Sequence, residues 1–189
     1  MALSRFFAAI ATCALLAGTP GLADEIQDID RQYREGDLSA ALDRADRFLV
    51  QNPQDAQARF LKGLILADQG KTNDAIAVFS GLTEDYPELP EPYNNLAVLY
   101  ASQGQYEAAK NALDMATRAH PGYATAHENL GDIHAKMAAI AYDKAQALDS
   151  TNTTAKAKLT LIRNMLGEPP DKPATAKPLP DPVQPAPAR

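Results

Sequence analysis

The sequence has no tryptophan, one cysteine and only 6% aromatic residues among its 189 positions. A disulfide-stapled scaffold needs paired cysteines, and a cysteine-rich zinc module needs several clustered ones. The single cysteine, Cys13, therefore excludes both classes. With 46% hydrophobic and 22% charged residues, the composition is typical of a globular chain with a modest core.

Positive charge is also scarce in this chain. Lysine and arginine number 18 against 24 acidic residues, so the formal net charge is -6 and the isoelectric point is near 5.0. A nucleic-acid binder needs a basic face to neutralise phosphates, and so does a protein that adsorbs to anionic lipid. We therefore predict neither nucleic acid nor a membrane surface as a partner.

The N-terminal segment 1–23 is predicted to be a secretory signal. Arg5 supplies the positive start, residues 6–16 are apolar, and small residues precede a cleavage site after Ala23. Export to the periplasm is the expectation. Two alternatives remain: an uncleaved anchor, although the apolar run is shorter than the about 20 residues that span a bilayer, and lipid acylation of Cys13.

The middle of the chain repeats every 34 residues, and three residue types keep this period independently. Within each unit a glycine is predicted to end a first helix, and a proline follows the second helix. Two repeat positions hold small residues, which predicts that the helices pack closely there. One is the position of Gly63, Ala97 and Gly131, and the other is that of the periodic alanines listed next. The periodic residues are Pro53, Pro87, Pro121, Gly36, Gly70, Gly104, Ala41, Ala75 and Ala109. Ile29 takes the Gly63 position in the first unit, which we attribute to its place at the end of the stack.

This pattern resembles the tetratricopeptide repeat family from about Ala23 to Asp149. The third unit, YNNLAVLYASQGQYEAAKNALDMATRAHP, carries the clearest resemblance, and the second unit is nearly as similar. The resemblance implies an all-α solenoid of about 3.5 helix-turn-helix units over residues 24–166, including a C-terminal capping helix. It also implies a protein or peptide partner, without identifying it, and together with the predicted signal it implies a bacterial source.

The fourth unit departs from the period. Its segment Ala141–Asp149 looks like the end of a second helix but arrives five residues early, with no glycine or proline between Asp132 and Ser150. Either a tight turn lies near Ala138, or one helix continues from about Ala124 to Asp149; we favour the continuous helix. Its far half would then pack on the next predicted helix, from Thr154 to Leu166, or on a second copy of the chain.

The tail 167–189 holds 8 of the 14 prolines and almost no large apolar side chain. Such a segment cannot bury enough surface to offset its ordering entropy. We predict a disordered tether, and its two PxxP spacings leave open a docking peptide for an aromatic groove.

No motif in the sequence assembles an active site. A phosphate-binding loop, a strand pattern and a nucleophile elbow are all missing, so we predict no enzyme and no cofactor. His127 and His134 lie two helical turns apart, too far to bind one metal ion without other ligands. Because tyrosines take these positions one unit earlier, we predict that both histidines are packing residues and that His120 is solvated. A metal site using Glu128 and Asp132 as further ligands is the weakest alternative.

The remaining candidate site is the inner groove that first helices line in the resembling family. Its apolar end would suit an amphipathic segment, with Asn94 bonding to backbone. The family's carboxylate-binding members use cations at these positions, which this sequence lacks. The candidates are Gln57, Phe60, Leu64, Glu91, Asn94, Val98, Glu128 and Asp132. We therefore predict a non-catalytic adaptor of the bacterial cell envelope, with a homodimer formed through the irregular fourth unit and the C-terminal helix as the alternative.

Overall fold

A computed structural model describes residues 22–169, and within that range the chain forms eight α-helices and no strand. None of these helices is long and apolar enough to cross a membrane. The predicted signal up to residue 21 and the tail from residue 170 lie outside the described residues. The helices are α1 Leu22–Arg34, α2 Leu38–Gln51, α3 Ala56–Asp68, α4 Thr72–Asp85, α5 Pro90–Ser102, α6 Tyr106–Ala119, α7 Ala124–Leu148 and α8 Thr153–Met165.

The helices pair as successive hairpins that stack in chain order. α1 packs on α2, α3 on α4 and α5 on α6, and the second helix of each pair also contacts the first helix of the next. Three neighbouring clusters of buried side chains run along the stack. The predicted all-α repeat solenoid is confirmed.

The repeating glycines end the first helices as predicted. Gly36, Gly70 and Gly104 have φ angles of +84°, +73° and +74°, in the left-handed region that side chains with a Cβ rarely adopt. Nothing lies within 4 Å of where a Cβ would stand at any of them. The backbone turn, and not crowding, therefore requires glycine at these positions.

The small residues inside the hairpins have a packing reason. A Cβ at Gly63 would lie 2.6 Å from Cζ of Phe79, whose ring is fully buried sixteen residues later in α4. In the first unit the sizes are exchanged, because Ile29 and the alanine sixteen residues later, Ala45, are both fully buried in one cluster. The small side chain of Ala45 thus accompanies the large one of Ile29, the reverse of Gly63 and Phe79.

The fourth unit is one continuous helix, as favoured from its sequence. α7 extends over 25 residues, and α8 packs on its second half. Asn152 caps α8 by accepting a hydrogen bond from the Ala155 amide at 2.9 Å. An Arg163–Asp143 ion pair of 3.0 Å joins the two helices, so α8 covers one side of this half, while Ala141 and Leu148 on another side are exposed.

The continuous helix overturns two predictions made for its first half. His127 and His134 are exposed and do not act as packing residues. Gly131 has nothing within 4 Å of a Cβ position, so close packing does not explain it. The reason is the same in each case: within residues 22–169 no second helix folds back onto this face. His120 is exposed, as predicted.

The two glycines at one repeat position should respond oppositely to alanine. We expect Gly63→Ala to destabilise the protein, because the buried Phe79 ring must move, and overpacking costs about 1–3 kcal/mol. Gly131→Ala should stabilise it by about 0.5–1 kcal/mol, since the site is open and alanine favours helix. Urea unfolding of both variants measures the difference. Equal effects of the two substitutions would contradict this packing account.

Candidate functional site

The eight candidate residues lie on the first helices of three units. Three of them, Gln57, Phe60 and Leu64, are on α3. Glu91, Asn94 and Val98 are on α5, and Glu128 and Asp132 are on α7. α5 packs on α7, and a hydrogen bond between Asn129 and Asn94 joins these two helices. We call the surface formed by these positions the inner face. The structure places its candidates in two different environments.

The apolar candidates belong to the core and not to an open groove. Phe60 and Leu64 are 5% and 0% exposed, and they share a buried cluster with Leu96 of the next unit. The Phe60 ring contacts Phe79 edge-on, with 5.4 Å between the ring centroids. Val98 is 9% exposed in the adjacent cluster. The prediction that these three side chains offer an apolar groove is wrong, because neighbouring helices already cover them.

Asn94 is fully buried and serves the stack itself. The Asn129 side-chain amide donates to Oδ1 of Asn94 at 2.7 Å, which joins α7 to α5. Next to it, Asn95 Nδ2 donates to the Glu91 carbonyl at 2.9 Å. The predicted role of Asn94 in bonding to a partner's backbone is therefore wrong, and Asn129 and Asn95 make their side-chain hydrogen bonds within the chain.

The polar candidates are the accessible part of the inner face. Gln57 and Glu128 are exposed, and Glu91 and Asp132 are half-buried. Burial raises the pKa of Asp132, and the nearby Glu128 carboxylate raises it further, against the opposing effect of Lys136. Burial likewise raises the pKa of the Tyr123 hydroxyl to about 12, with Glu91 adding to the shift. Acidic groups thus dominate the open part of this face.

A cation beside these acids was missed from the sequence. Lys136 follows Asp132 by one helical turn, and its ammonium forms a buried ion pair with the Glu168 carboxylate just beyond α8. Burial raises the pKa of the neighbouring Tyr106 hydroxyl, and the Glu168 charge contributes. No local pattern links positions 136 and 168, so only the packing of α8 reveals that this cation is neutralised.

Metal-ligating side chains are dispersed in the part of the chain that the structure describes. No group of three or more histidine, cysteine, aspartate or glutamate residues could hold an ion there. His127 Nε2 lies 3.0 Å from the Pro121 carbonyl oxygen. The weakest alternative, a metal site built on the histidines, has no ligand set within residues 22–169.

Solved structures with the same arrangement of helices are known. This chain is similar to the MamA protein, with a TM-score of 0.57 and 22% identity over 77% of this chain and 82% of that chain. For TTC0263, a thermophilic TPR protein of Thermus thermophilus, the TM-score is 0.57 and the identity 24%, over 78% and 84% of the two chains. YrrB, described as a TPR protein with an unusual peptide-binding site, gives a TM-score of 0.54 and 27% identity over 60% and 59%.

This chain spans only part of some of these relatives, namely 59% of YrrB and 23% of the chain matched in the Naa15/Naa10 structure bound to HypK-THB. None of the curated proteins compared with this chain matches it in sequence. Two tetratricopeptide repeat family models match residues 29–90 and residues 66–130. These overlapping matches and the stacked helical hairpins show that the chain belongs to the tetratricopeptide repeat family.

Proposed function

We propose that this protein is an exported, non-catalytic interaction scaffold of a bacterial cell envelope that binds a partner segment carrying basic side chains. The fold supports protein or peptide partners in general. The N-terminal signal pattern supports export. The acidic part of the inner face supports the choice of a basic segment.

The chemistry of the partner follows from what the inner face leaves open. Its apolar residues are covered by neighbouring helices, so an apolar segment has no groove to enter. The accessible side chains of Glu91, Glu128 and Asp132 are acceptors with negative charge. The nearest cation, Lys136, is already paired with Glu168. Lysine or arginine side chains of a partner would complement this surface in charge.

The accessible carboxylates of Glu91, Glu128 and Asp132 are the observation that carries the proposal, and the raised pKa of Asp132 agrees with it. The raised pKa means that the carboxylate form is disfavoured by burial and by Glu128 in the unbound protein. A basic group of a partner that approaches Asp132 and Glu128 would offset the repulsion between the two carboxylates. A peptide-binding site is described for YrrB, which supports a peptide as the class of ligand.

Capture of the partner tests this proposal. We expect crosslinking in the native envelope to trap a partner whose yield falls several-fold with Glu128→Gln/Asp132→Asn, because surface charge attraction is lost. The matched control, Glu84→Gln/Glu88→Gln, removes two exposed charges near the end of α4 and should leave capture unchanged. Raising the salt concentration should weaken capture in the same way as the test variant. If the test variant and its control capture equally, the acidic face is not the contact surface.

Asp132 also makes a prediction about stability and pH. Because its pKa is higher in the folded than in the unfolded state, the folded state holds its proton more tightly, and stability contributed by this group is lost as pH rises. We therefore expect Asp132→Asn to raise the melting temperature at neutral pH, and this gain should vanish below the ordinary pKa of 3.8. Thermal unfolding across pH measures it, with Glu88→Gln as control. A gain that persists at low pH would show a different cause.

A further inference from the structure

α7 presents a bare face along its whole length. Seven residues follow one another at alternating steps of four and three, which places them on one side of the helix over roughly 30 Å. Every one of them is exposed or half-buried, and Leu148 is 81% exposed. These residues, which we call the α7 seam, are His127, Gly131, His134, Ala138, Ala141, Ala145 and Leu148.

In a complete unit the corresponding face is covered by the second helix of the hairpin. The Phe79 ring of α4 fills the space over Gly63 on α3. At Gly131, which holds the same position two units later, this space contains no atom within 4 Å of a Cβ position. The seam therefore contains an open packing site for a helix at Gly131, which we call the seat. On α3 the equivalent site at Gly63 is occupied by α4 of the same chain.

The helix that would fill this seat is present in the chain but displaced. Second helices carry their buried residues at steps of four and three, as in Ala75, Phe79 and Leu82 of α4. The second half of α7 repeats these steps in Ala138, Tyr142 and Ala145. Because α7 is continuous, Tyr142 stands eleven residues beyond Gly131, about 16 Å further along the same axis. It cannot fold back onto its own seat.

We propose that two copies of this chain pair through α7 in antiparallel orientation, so that the second half of each α7 covers the seat of the other. A two-fold axis at Ala138 places Gly131 opposite Ala145 of the second copy, and Leu148 opposite His127. The two α7 helices then lie side by side, as the two helices of a complete unit do within one chain, with Ala145 of the second copy at Gly131 where Phe79 lies at Gly63. It uses a different surface from the inner face and does not rest on the proposed function.

Charge and neighbouring helices permit this pairing. No lysine, arginine, aspartate or glutamate lies on the seam, so self-association brings no like charges together there. The packing partners of Leu130, Ile133 and Met137 lie on one side of α7. On its other side, Asp143 pairs with Arg163, and the Lys158 ammonium lies 5.4 Å from the centre of the Tyr142 ring. The seam lies between these two contacts and stays open.

Sedimentation of the mature protein over a range of concentrations tests the pairing. We expect a dimer whose dissociation constant rises at least about tenfold with Ala141→Glu, which puts a charge into the seam. The matched control is Ala147→Glu, an equally exposed alanine in the same half of α7 but off the seam; it should leave the dimer intact. A monomer at all concentrations, or a dimer that survives Ala141→Glu, would overturn the proposal. The monomer result would leave the seat to a helix of another protein.

The orientation has its own test. Both chains carry Cys13→Ser, so that the engineered cysteine is the only thiol of each chain. One chain also carries Gly131→Cys and the other Ala145→Cys. When the two proteins are mixed and oxidised, we expect a disulfide-linked dimer that contains one chain of each kind. Antiparallel pairing brings these two positions together, whereas parallel pairing separates them by fourteen residues. Disulfides between identical chains in place of mixed ones would contradict the antiparallel arrangement. Circular dichroism of each variant verifies that the helices are retained.

Discussion

The stack depends on one constraint, the volume that two positions sixteen residues apart share inside each hairpin. Glycine on α3 faces phenylalanine on α4, whereas isoleucine on α1 is matched with alanine on α2. In the third unit, Ala97 and Leu113 are both fully buried in one cluster. At the helix separation of these hairpins, one large and one small residue fill the shared volume in either order. Each hairpin can therefore vary in sequence while keeping one helix separation.

The fourth unit shows what happens when the constraint has no second helix to act on. The unit is five residues short and lacks the glycine turn, so α7 is continuous, and no atom of the described residues lies within 4 Å of a Cβ position at Gly131. α8 then covers the second half of α7, and Glu168, just beyond the end of α8, neutralises Lys136. One short deletion relative to the period thus explains the exposed histidines, the capping helix and the bare seam.

Most of the fold could be predicted from the sequence because its signals are local or strictly periodic. A glycine at a left-handed turn and an alanine between two helices each depend on contacts within one unit. The inner face could not be predicted in the same way. Whether Phe60 and Leu64 are open or covered depends on Leu96 in the following unit, and the pattern of one unit does not contain that contact. The ion pair of Lys136 depends on where α8 ends, which only the packed structure gives.

The most direct test of this account is to restore the missing turn. A copy of residues 104–108 inserted between Met137 and Ala138 would return Tyr142 to sixteen positions after Gly131, the spacing that separates Phe79 from Gly63. The measurement is an NMR structure of this variant, with helix boundaries from chemical shifts and contacts from nuclear Overhauser effects. The account predicts that α7 splits at the new glycine and that the Tyr142 ring contacts Gly131. A helix that continues through the insertion, with the two residues still apart, would contradict it.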